Sequence, residues 1–89
     1  MTLNFPNQSR SLDEEKERVR FWGHDGPMEI SFFVEVCAIR KIFPELGSVE
    51  SSLLGAFDAA RNRIQDVAAK AYARGRRGSG VYVLTVDDF

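Results

Sequence analysis

Arg61 is the residue in this 89-residue chain whose position asks most insistently for a chemical explanation. On a helical wheel it falls inside an apolar arc, between Ala68 and Tyr72, where a guanidinium needs a carboxylate partner or a path to water. Asp58, Asp87, Asp88 and the terminal carboxylate are the partners in reach, and an ion pair among them would pin the last strand to the helix. The functional alternative is an anion site. Arg74, Arg76 and Arg77, set among Gly75, Gly78 and Gly80, form the second feature. Three guanidiniums on a flexible turn suit phosphate groups, so nucleic acid is one expected partner class. No aromatic residue is interleaved with them, and a solvated turn explains the same composition. Gly78-Ser79-Gly80 precedes a strand, whereas phosphate loops follow one.

His24 and Cys37 are the only histidine and cysteine. They supply a nucleophile and a base in principle, with no third group to orient them. Asp87 and Asp88 form a small acidic cluster with too few oxygens for calcium. Neither a catalytic constellation nor a metal or cofactor motif emerges, so enzymatic chemistry ranks below binding.

Composition sets the frame for these residues. Twelve basic and thirteen acidic side chains give a net charge of −1, so any electrostatic footprint is local. A 44% hydrophobic content with 28% charged residues describes a folded globular domain, and the length makes it a single one, residues 1–89. A lone cysteine excludes an internal disulfide. The polar segment Met1–Arg10 lacks a secretory signal, and the longest apolar run, Phe32-Phe33-Val34, is far too short to span a membrane. A cytoplasmic protein is expected.

The elements follow from periodicity. Leu3-Asn4-Phe5-Pro6 reads as a short edge strand stopped by proline, and 7–16 as an exposed loop. Val19 and Phe21 alternate with Arg18 and Arg20. After His24-Asp25-Gly26-Pro27, Met28, Ile30, Phe32 and Val34 alternate in turn, which predicts a hairpin turning at Asp25-Gly26. A short helix follows over Val36–Phe43, with Glu35 as an unusual N-cap. Val49, Leu53, Phe57, Ala60, Ile64, Val67, Ala68, Ala71 and Tyr72 then predict one long amphipathic helix over 50–74. At about 37 Å it would project from the body, bend near Gly55, or pack on a second copy. Val81 to Val86 predicts a last strand.

The expected architecture is α+β: a small antiparallel sheet, made of the hairpin and the C-terminal strand, on one short and one long helix. If Val19, Phe21, Ile30, Phe32, Tyr82, Leu84 and Val86 face the helices, then Trp22, Phe33, Val81 and Val83 lie on the opposite face. Four apolar groups there form a candidate interface, unless the 7–16 segment covers them.

The helix pattern Leu54, Phe57, Arg61, Ile64, Ala68, Tyr72, then Gly75 and the closing Leu84-Thr85 and Asp88-Phe89, resembles the small bacterial proteins of domain-of-unknown-function family 1488. Val19 and Phe21 before the hairpin and Ala38-Ile39 after it match as well. Leu12 stands where that pattern has tryptophan, and Glu35 where it has a serine or threonine cap. The resemblance implies the fold and carries no activity. The expected function is a non-catalytic protein-interaction or regulatory module, with a homodimer or another protein as partner and nucleic acid as the alternative.

Overall fold

The computed structural model describes residues 3–6, 9–47, 49–74 and 81–89. Its strands are β1 (Leu3–Asn4), β2 (Arg10–Asp13), β3 (Arg18–Asp25), β4 (Met28–Glu35) and β5 (Val81–Leu84). The helices α1 (Val36–Ile42), α2 (Glu50–Ala59) and α3 (Arg61–Ala73) lie between β4 and β5, and a 3-10 turn covers Val86–Asp88. The class is α+β, as expected.

The hairpin of β3 and β4 turns where Asp-Gly predicts. Asp25 opposes Met28, and Gly26 has φ +61°, a conformation that costs glycine little. Alternation along both strands buries Val19, Phe21, Ile30, Phe32 and Val34. Both β1 and β2 pair antiparallel with β3, on its far edge. The segment expected as a loop thus holds a strand at Arg10–Asp13. Its pattern, Arg10 and Leu12 on one side and Ser11 and Asp13 on the other, is too polar to register as a half-buried strand.

The other edge brings a correction. β5 pairs with β4 in parallel, Phe32 opposite Tyr82 and Val34 opposite Leu84, so the sheet is mixed rather than antiparallel. The physical reason is the connection. A crossover through helices can return the chain to the start of β4, which parallel pairing requires and a tight turn cannot do. Tyr82 and Leu84 face the core as predicted; Val86 leaves the strand and is exposed.

The helix expected over 50–74 is interrupted at one residue. Ala60, at φ −102° and ψ 13°, separates α2 from α3, five residues beyond Gly55. The Ala60 amide still donates to Ala56 and the Ile64 amide to Ala60, so the apolar stripe continues across the interruption. Leu53, Phe57, Ile64, Ala68 and Ala71 are buried, while Val49 caps α2 and is exposed. The two pieces are about 15 and 20 Å long, against a longest molecular dimension of 37 Å, so neither projects as a free rod.

At α1, Glu35 occupies the N-cap with no side-chain hydrogen bond. The Val36 amide instead donates to the carbonyl of Glu17, 3.0 Å away, in the turn between β2 and β3. A backbone acceptor thereby does part of what a serine or threonine would do. An aromatic cluster fills the space between sheet and helices: Phe21 lies 5.4 Å from Phe32 and 5.2 Å from Phe57, and Tyr82 lies between Phe32 and Tyr72.

Candidate functional site

Arg61 is the first residue of α3, and its guanidinium bonds Asp58 one turn earlier. The same carboxylate takes a two-pronged bond from Arg10 of β2, Nε at 3.0 Å and the terminal nitrogen at 2.8 Å. The partner expected from sequence is correct, but the element it secures is not the last strand. Two arginines share one carboxylate and tie the interrupted helix to the edge strand. Arg61 also lies over the Phe57 ring, 5.0 Å from its centroid.

Partial burial pushes the Asp58 carboxyl upward, but hydrogen bonds from Arg10 and Arg61, with their charges, outweigh it and hold the group below its ordinary 3.8. Such a carboxylate stays ionised and acts as an anchor. The shallow depression beside it is lined by Arg10, Asp58, Ala59, Arg61 and Asn62.

A depressed folded pKa means that the stabilisation is complete above the unfolded value of 3.8 and is lost as pH falls through the folded value. Asp58 is 40% exposed. With solvent and salt screening, Asp58→Asn should therefore cost only about 0.5–1 kcal/mol at pH 7. The gap between wild type and variant should hold at pH values above the unfolded 3.8 and close progressively as pH falls below it. Denaturant titrations at stepped pH check this; a gap that widens on acidification contradicts the assignment.

Of the basic turn, Arg74 is exposed at the end of α3, and Arg76 and Arg77 lie outside the described residues. His24 opposes Glu29, at 4.0 Å, near the turn of the hairpin. Cys37 is exposed at the start of α1, past the other end of β4. Six residue steps of strand from Glu29 to Glu35 put His24 and Cys37 about 20 Å apart, too far for a nucleophile and its base. Asp88 closes a capping box with Thr85, whose amide donates to it at 2.8 Å. Among the described residues no group of three or more His, Cys, Asp or Glu could hold a metal ion. None of the helices there is long and apolar enough to cross a membrane.

Trp22, Phe33, Val81 and Val83 share the outer face of the sheet by register. Phe33 opposes Arg20 on one side and Val83 on the other; Ser31 lies between Trp22 and Val81. Segment 10–13 is in the plane of the sheet, so it does not cover this face. Sequence reasoning missed how Arg18 and Arg20 use it. Arg18 stacks over Phe33, 3.7 Å from the ring centroid, and its Nε lies 3.6 Å from Asp13. Arg20 lies 4.9 Å from Trp22 and donates to Ser31 at 3.3 Å. Alternation alone put these arginines on the outer face; their reach across strands was the missing signal. The face is therefore two-sided. Towards β2 it is charged, with Asp13, Arg18 and Arg20, and towards β5 it is apolar, with Phe33, Val81 and Val83.

The family model for DUF1488, a protein of unknown function, matches residues 3–84. The chain belongs to this family. Within it, a crystal structure of a DUF1488 protein of unknown function from Shewanella loihica superposes with a TM-score of 0.83 at 17% identity, covering 94% of each chain. That likeness extends to the fold. A search of curated proteins returned no match. The DUF1488 family is one of unknown function.

Proposed function

We propose that this DUF1488 chain is a non-catalytic interaction module that associates with a second copy of itself at the β5 side of its sheet, where the outer face is apolar. The observation that carries the reading is that face. A sheet wetted on one side should be polar there, yet Phe33, Val81 and Val83 adjoin one another, and Val81 is 40% exposed. With the helix interrupted at Ala60, its length supplies no argument for pairing. An exposed Cys37 thiol suits a reducing compartment, so the bacterial cytoplasm is the setting of this reading.

Light scattering after size exclusion tests it. The mass should rise from 10.0 kDa towards twice that value across the micromolar range. A monomer throughout removes the reading. Binding of single-stranded oligonucleotides at low salt, weakening steeply as salt is added, would favour Arg74, Arg76 and Arg77 as the working surface instead.

A further inference from the structure

We infer that the two copies join edge to edge, β5 pairing antiparallel with its own symmetry mate about a two-fold axis at Val83, so that two sheets become one. This rests on the self-association proposed above and adds its geometry.

The two edges of the sheet are built differently. One is split between β1 and β2, is stopped by Pro6 and carries Arg10 and Asp13. Proline, charge and brevity are devices that discourage a second strand from docking. The other edge is Val81-Tyr82-Val83-Leu84, with neither charge nor proline. Among the described residues, β4 alone pairs with it. In a parallel ladder alternate residues direct their amide and carbonyl away from the neighbouring strand. A further strand satisfies such groups, and that requirement names the occupant's backbone.

The side chains name its sequence. Pairing must set outer residues against outer and inner against inner, because a slip of one residue reverses every side chain. A two-fold axis must then pass through a residue rather than between two. Centred on Val83, Tyr82 meets Leu84 of the second copy on the inner face, and Val81 meets Thr85 on the outer face. Thr85 is extended, φ −113° and ψ 176°, and because Asp88 holds its amide and carbonyl it meets Val81 by side-chain contact alone. The strand is thus complementary to itself. The apolar band of Phe33 and Val83, which ends at this edge, continues into the band of the other copy.

Val83→Cys in a Cys37→Ser background tests the geometry, since Cys37 is exposed and would otherwise react. Opposed residues of an antiparallel pair lie about 4.5–5.5 Å apart at Cα, within disulfide reach. Mild oxidation should convert the Val83→Cys protein to a covalent dimer with an unchanged circular dichroism spectrum. Val86→Cys in the same background, three residues from the axis, should remain monomeric on a denaturing gel. Wild-type dimers with no Val83→Cys cross-link, or faster cross-linking at position 86, overturn the edge arrangement and leave self-association standing. A wild-type chain that stays monomeric removes both. Val83→Lys should dissociate the dimer while it remains folded; a folded Val83→Lys dimer also overturns the edge arrangement.

Discussion

Replacing Phe57 with alanine should lower unfolding free energy by about 3–5 kcal/mol, the usual cost of removing a fully buried aromatic ring. Phe57 is wholly buried, its ring 5.2 Å from Phe21 of the sheet and beneath the guanidinium of Arg61. Alanine leaves a void at the one place where α2 is in aromatic contact with β3, and it removes the surface on which Arg61 rests. Small domains have about 5–15 kcal/mol in total, so this substitution should leave the protein close to half unfolded in mild denaturant. Urea titration followed by far-ultraviolet circular dichroism measures it. A loss below about 1 kcal/mol, typical of surface changes, would mean that the ring is not where the fold requires it.

Gly23→Val should cost about 1–3 kcal/mol, by crowding rather than by a void. Gly23 sits on the inner face of β3 opposite Ile30. A Cβ there would stand 3.0 Å from Phe5 and 3.1 Å from both Leu3 and Phe32. Phe32 is completely buried and cannot give way. Leu3 and Phe5 belong to the short edge segment, so valine, with two further methyl groups, should displace that segment. Gly23→Ala is the informative companion. Its contacts require shifts of a few tenths of an ångström, while it lowers the entropy of the unfolded chain by about 0.4–1 kcal/mol in the folded state's favour. Thermal melts should therefore show valine well below wild type and alanine near it. Equal losses for both would point to a backbone requirement at Gly23 instead of crowding.

Phe57 shows what the sequence makes legible. Phe57 was identifiable because its neighbours at three- and four-residue steps share its character, a local signal that survives the interruption at Ala60. The hairpin was legible for a similar reason: Asp25-Gly26 sits between two alternating runs, and turn and period agree. The interruption itself was hidden, since neither glycine nor proline marks it. The anchor at that point is tertiary, Arg10 and Arg61 on Asp58, and Arg10 lies 48 positions away in sequence. Strand direction at β5 was hidden too, because the run Val-Tyr-Val-Leu reads identically either way. An apolar run without alternation is nevertheless what a parallel strand carries, and Val81 and Val83 were a trace of it. At the outer face, the four apolar residues came from alternation, whereas the stacking of Arg18 on Phe33 depends on register between strands.

The parallel union of β4 and β5 also governs the order in which the molecule assembles. Asp25 and Met28 can meet within microseconds, as hairpins do, whereas Val34 and Leu84 must wait for three helical segments to fold back. A chain arrested before that last closure has its hairpin but leaves one flank of β4 open beside Phe32 and Val34. Substitutions in the final strand should accordingly hasten unfolding more than they slow folding, and it is this late-closing seam that exposes the growing structure to misassembly.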